Sequence, residues 1–191
     1  TFTGNSHYVE KDGAIYISSS EQVKILKELS EEITKRYRDP YIMMNDSLEM
    51  LKPGDCVIVL YKDFGYYRGE VMRRSEKNPS QYLVRYVDYG TKAFVNRHSI
   101  FLNVVGENIP LQVNRFVLRN SMPRSGDEWE KEVLDLIHGI IVDKECSIKV
   151  LEKTRYDEVK GVEIDLLEEY DGYTGDVEQL FESLGFIRYR Q

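Results

Sequence analysis

Cysteine is scarce in this 191-residue sequence. Cys56 and Cys146 have no metal-ligand spacing, which excludes a cysteine-built zinc site. Both fall in strand-like segments and read as buried thiols in a reducing compartment, cytoplasm or nucleus. Long apolar runs are missing too. The longest, 136–142, is interrupted by His138 and Gly139 and falls short of the ~18 residues that span a bilayer. The first residues carry no signal-peptide pattern, and a chain that starts with Thr1 reads as a piece of a longer protein. Positive charge is in short supply. Lys and Arg total 26 against 33 Asp and Glu, a net charge of −7. A nucleic-acid backbone asks for a basic face, so an acidic chain better suits a basic partner. His7, His98 and His138 are scattered without partners at ligand spacing, and no Ser or Cys sits in a nucleophile motif. Tryptophan occurs once, tyrosine 14 times. That imbalance points to aromatic recognition of something other than phosphate.

What is present reads as a folded chain without repeats or low-complexity tracts. Ala14-Ile-Tyr-Ile17 is a short strand after an Asp12-Gly13 turn. Val23, Leu26, Leu29 or Ser30, Ile33 and Tyr37 then recur at helical spacing, and Ser19 with Gln22 forms a capping box. Asp39-Pro40 stops that helix, because the residue before proline is pushed from helical angles. Strands follow at 55–61, 66–73, 81–88 and 92–95, with a helical turn near 98–102. Short strands joined by Gly- and Pro-bearing turns suggest a small barrel. Beyond Gly106 come a strand at 113–118, a helix over 127–141 with Ser125 or Asp127 as cap, and strands at 146–151 and 159–167. A last helix is capped by Asp176, turns Val177, Leu180, Phe181 and Leu184 inward, and ends at Gly185. The fold class is mainly β with α (α+β). The first forty residues are too few for a core and pair with the C-terminal part, which makes the central barrel an insertion.

The informative stretch is Gly54-Asp55-Cys56-Val57, then Tyr66-Tyr67-Arg68, then Tyr86-Val87-Asp88-Tyr89-Gly90-Thr91. Together these resemble the Tudor domain. With the flanks included, the chain is similar to an extended Tudor domain, a five-stranded Tudor barrel inserted in a staphylococcal-nuclease-like OB-fold with a long linking helix. On that resemblance, 46–103 is the barrel and 1–40 plus 104–191 is the nuclease-like part, including a linker helix at 20–37.

The resemblance implies a non-enzymatic module that binds methylated arginine, with symmetric dimethylarginine as the expected form. The implied cage is Tyr61, Tyr67, Tyr86 and Tyr89, with Thr91 where the family has an asparagine that bonds the ligand. Thr91 offers one hydroxyl with shorter reach. Tyr86 and Tyr89 are three apart, so both reach one pocket only if the chain bends at Asp88 to Gly90, which Gly90 permits. Methylation leaves the guanidinium its charge while removing donors. Each ring over such a cation contributes roughly 0.5–2 kcal/mol. Tyr66 reads as core, and Arg68 with Asp88 as a structural brace across strands. Lys62, Asp63, Glu70 and Arg85 read as solvated.

The implied partner is an Arg-rich, disordered peptide with Arg-Gly or Arg-Ala motifs, such as the N-terminal region of a Piwi-type Argonaute. It would lie across the groove between barrel and nuclease-like part. The implied setting is cytoplasmic, in perinuclear germ granules and small-RNA silencing, and no cofactor is implied. Two other readings stay open: a scaffold for an unmethylated peptide or protein with the cage idle, and an OB-fold that stacks single-stranded RNA on tyrosines. Nuclease chemistry needs acidic metal ligands with arginines. Glu163 and Asp165 share a strand but lack basic partners at matching positions in the sequence. Asn45-Asp-Ser47 matches a glycosylation pattern by chance, and the acidic run 152–171 reads as a solvated face that also attracts an arginine-rich peptide.

Overall fold

The computed structural model describes residues 1–39, 50–102, 105–119, 121–151 and 159–189. Pro40, the Asn45 motif, 152–158 and the expected domain edges at 46, 103 and 104 lie outside them. Two compact units form, Thr1–Val23 with Val113–Gln191, and Lys24–Gln112.

The chain begins with a hairpin, β1 (Phe2–Val9) and β2 (Ala14–Ser19). At its turn Gly13 takes a φ of +84° and the Ala14 N–H donates to Asp12 Oδ1 at 3.0 Å. Sequence reading did not expect β1. Its polar run Asn5-Ser6-His7 hides the strand, which is set by pairing along both edges rather than by alternation. Helix α1 (Ser20–Tyr37) opens with the capping box: Gln22 N–H donates to Ser19 Oγ at 3.2 Å, and Ser19 N–H to Gln22 Oε1 at 2.9 Å. It buries Leu26, Leu29, Ile33 and Tyr37.

The inserted unit contains β3 (Cys56–Leu60), β4 (Tyr66–Arg74), β5 (Gln81–Tyr86), β6 (Lys92–Asn96), a 3-10 turn at Arg97–Ser99 and β7 (Ile100–Phe101). The sheet order is β6-β5-β4-β3-β7, and it curls into a closed five-stranded barrel. Val57, Val59, Val71, Val84 and Ile100 pack inside with Tyr82 and Tyr86. Ile58, Tyr66 and Phe101 face outward and pack on Leu29, Ile33 and Tyr37 of α1. The helix therefore groups with the barrel in packing, whereas the resemblance placed it with the nuclease-like part. This two-sided cover explains the unbroken apolar run Val57-Ile58-Val59. Cys56, two residues before Ile58 on the outer face, is exposed and not buried as expected, since that part of the face is uncovered. Tyr66 is core, stacked on Tyr37 at 5.4 Å.

The host unit continues with β8 (Asn114–Leu118), β9 (Ser121–Pro123), α2 (Lys131–Ile141), β10 (Glu145–Val150), β11 (Lys160–Tyr170), β12 (Tyr173–Asp176), α3 (Val177–Ser183) and β13 (Ile187–Tyr189). Strands β1, β2, β8, β11 and β10 pair in that order, and β10 returns to β1, so the ring closes. Only β8 and β11 run parallel within it. That is the OB arrangement. Its core joins Ile15, Ile17, Phe116, Ile148 and Ile164 to Ile137, Ile140 and Ile141 of α2. Neither Ser125 nor Asp127 caps α2. The Trp129 N–H donates to Lys11 O at 2.7 Å, which holds the chain extended, and the helix starts from Glu130 without a side-chain cap. Asp176 does cap α3, accepting from Gln179 N–H at 3.1 Å, and Gly185 ends it at φ +73°. Leu184 is exposed, contrary to its inward expectation, because it falls after the last helical turn.

Candidate aromatic binding site

Four tyrosines meet within the inserted unit. Tyr61 follows β3, Tyr67 is the second residue of β4, Tyr86 ends β5, and Tyr89 lies in the turn beyond. The β3–β4 connection is short. Tyr61 N–H donates to Gly65 O at 2.9 Å and Phe64 N–H to Tyr61 O at 3.0 Å, which folds Tyr61 back beside Tyr67. Tyr86 pairs with Gly69, two residues along β4 from Tyr67, so both rings share the barrel's inner face.

The bend required for Tyr89 is present. Both Tyr89 and Gly90 donate their N–H to Tyr86 O, at 3.1 and 2.8 Å, and Tyr86 N–H donates to Thr91 O at 2.8 Å. Gly90 has a φ of +86°. The turn carries the Tyr89 ring to 5.5 Å from that of Tyr67. Tyr61 stands 6.2 Å from Tyr67 and 5.4 Å from Tyr86, and Tyr67 stands 6.3 Å from Tyr86. These four pairs cross at 80–87°, as walls of a box do and stacked rings do not. Tyr86 is the floor at 3% exposure and Tyr61 the open wall at 43%, with Tyr67, Tyr89 and Thr91 half-buried.

Burial pushes the Tyr67 and Tyr86 phenols well above the usual tyrosine range. Asp63 adds to both shifts, at Tyr67 through a hydrogen bond and its charge, and at Tyr86 through charge after that of Tyr61. Tyr67 and Tyr86 therefore stay un-ionised at neutral pH.

A brace stands behind the Tyr89 turn. Arg68 Nε and Nη2 donate to the two Asp88 oxygens at 2.8 and 2.6 Å, with both side chains buried. Nη1 also donates to Gly106 O and Ile109 O, and Nη2 to Pro110 O, at 2.7, 2.6 and 3.0 Å. Asp88 Oδ1 accepts from Gln112 N–H at 2.9 Å. The pair thus ties the turn to segment 106–112 as well as across strands, which the sequence alone did not indicate.

A family model of the Tudor domain matches residues 3–118. The chain belongs to the Tudor family. Its fold is that of an extended Tudor domain, similar at 17% identity and TM-score 0.84 to that of Drosophila melanogaster Papi, over 99% of this chain and 98% of that one. The human TDRD1 extended Tudor domain, solved with a symmetrically dimethylated E2F peptide, is 20% identical with TM-score 0.78, covering 99% of this chain and 90% of its own. A Papi variant solved with a Piwi N-terminal peptide is 18% identical, with TM-score 0.81 and 99% of each chain covered. No curated protein matches the sequence.

In this Tudor chain the other charged residues near the motif divide. Glu70 and Arg85 form a half-exposed ion pair across β4 and β5. Asp63, read from sequence as solvated, is exposed yet held in place: Oδ1 accepts from Gly65 N–H at 2.9 Å and Oδ2 from the Tyr67 hydroxyl at 2.6 Å. The first bond is an Asx turn, which the Asp-x-Gly spacing could have signalled. In the host unit, Glu163 has two cations that the sequence did not disclose. Lys149 Nζ lies at 2.7 Å and Arg119 beside it, and their hydrogen bonds and charge, Lys149 first, hold its carboxyl below the usual range. Among the described residues no three His, Cys, Asp or Glu side chains gather to hold a metal.

Proposed function

We propose that this chain is a binding module, not an enzyme, that takes a methylated arginine of an Arg-rich peptide into the box of Tyr61, Tyr67, Tyr86 and Tyr89. The mutually perpendicular rings carry the reading. A flat cation with methyl groups gains from ring faces and from apolar contact. Symmetric dimethylarginine is the form we favour, since relatives of the same fold were solved with a symmetrically dimethylated E2F peptide and with a Piwi N-terminal peptide. The Papi relative supports a Piwi-type N-terminal region as partner class. Charge supports a basic peptide too: the chain as a whole carries 26 Lys and Arg against 33 Asp and Glu. The setting we infer is cytoplasmic, in germ granules; the two free thiols bear only on a reducing compartment.

One observation favours a second reading, binding of an unmethylated arginine peptide. The rings already touch edge to face, and Thr91 stands in the sequence where the family has an amide. Calorimetry with one Arg-rich peptide in unmethylated, monomethyl, symmetric and asymmetric dimethyl forms separates the two. Tighter binding of the dimethyl forms, lost in Tyr89→Ala, is expected. Equal affinity for all four, or no loss in the variant, overturns the proposal in favour of the second reading.

A further inference from the structure

We propose that Asp63 is the anionic member of the aromatic site, attracting the ligand's cation and accepting one of its remaining N–H groups. The inference rests on the reading of the four tyrosines as a cation site and names a residue that neither the motif nor the fold assigns.

Three observations place it. The carboxylate is fixed beside the rings: Oδ2 takes the Tyr67 hydroxyl at 2.6 Å and Oδ1 the Gly65 N–H at 2.9 Å. An Asp free in a loop would sample many rotamers, whereas this one is held by both oxygens in a five-residue connection. Its charge also lacks a counter-ion in the fold, because among the described residues no Lys, Arg or His lies within ion-pair distance of Asp63. Lastly, its field reaches into the box, disfavouring ionisation of both Tyr67 and the buried floor Tyr86. Each carboxylate oxygen keeps acceptor capacity after one hydrogen bond, so a guanidinium N–H can be received without breaking either contact.

Chemistry then decides what Asp63 discriminates. Methylation leaves the arginine charge unchanged, and every methylated form keeps at least one terminal N–H. Asp63 therefore contributes to all cationic forms alike and selects for charge, while the rings select for methyl groups. Such a contribution is sensitive to salt, because the carboxylate is exposed.

The test is Asp63→Asn, which keeps an acceptor oxygen for the turn and removes the charge, with Asp63→Glu as the charge-retaining control. Dimethyl and unmethylated peptides are titrated by calorimetry at low and high KCl. At low salt Asp63→Asn is expected to weaken both peptides by roughly two- to fivefold, the range of an exposed charge pair. The wild-type advantage should shrink at high salt, and Asp63→Glu should retain it. A purely structural role for Asp63 would lower affinity equally at both salt levels and would overturn the inference. So would an unchanged affinity in Asp63→Asn while the wild type binds normally. A wild type that binds none of the peptides removes the reading of the tyrosines and this inference with it.

Discussion

Replacing Arg68 by Ala removes five hydrogen bonds in one step: two to Asp88 and one each to Gly106, Ile109 and Pro110 carbonyls. The Asp88 carboxylate would stay buried at 3% side-chain exposure with its charge unbalanced, keeping only the Gln112 N–H. Breaking a buried pair from one side costs about 3–5 kcal/mol, chiefly through the stranded charge. A domain's whole stability is about 5–15 kcal/mol, so the loss is a large share of it. For a unit of this size the melting temperature should fall by more than about 10 °C. Urea unfolding followed by near-ultraviolet circular dichroism of the tyrosines reads the change. Removing both charges, in Arg68→Met with Asp88→Leu, should cost less than the two single changes summed, because neither charge is stranded. An Arg68→Ala loss below about 1 kcal/mol, the level of an exposed pair, would refute the brace.

Three further outcomes follow from burial and ionisation. Tyr86→Ala, at the 3% exposed floor, should cost about 3–5 kcal/mol of stability in a urea titration, whereas Tyr61→Ala, at 43% exposure, should lower peptide affinity and leave the urea midpoint nearly unchanged. The Tyr67 and Tyr86 phenols are raised in the folded state, so the stability they contribute is fully present below the ordinary value of about 10 and is lost as pH climbs above it. Ultraviolet titration should show two tyrosines ionising late, and unfolding should make them ordinary. With a thiol reagent at neutral pH, exposed Cys56 should react at once. Cys146, buried and with its thiol pushed up to about 11 by burial first and acidic neighbours second, should react only after denaturation.

Much of the fold was legible because local chemistry and global packing agree. Ser19 and Gln22 announce the start of α1, and the apolar spacing after them marks the side it buries. The barrel strands show as short runs between Gly and Pro turns, alternating in β5 and unbroken in β3. β1 was not legible, since its place depends on two pairing partners, one of them beyond residue 144. The start of α2 misled for a similar reason: Trp129 has helical spacing to Val133, yet a distant carbonyl, that of Lys11, takes its N–H. At the site, spacing and resemblance named the rings, and Gly90 signalled the bend. The Asp63–Tyr67 bond and the reach of Arg68 to residues 106–110 depend on where a turn and a later loop end up, which no residue pattern expresses.

Within the host ring, Ile17 pairs with Asn114 although about a hundred residues separate them, so that closure spans an unusually long loop. On the ribosome β2 emerges long before its neighbour, and the inserted unit is complete before β8 appears. A barrel that folds as it emerges shortens that loop and draws its ends together. Deleting it would leave β2 and β8 to be joined by a short hairpin turn.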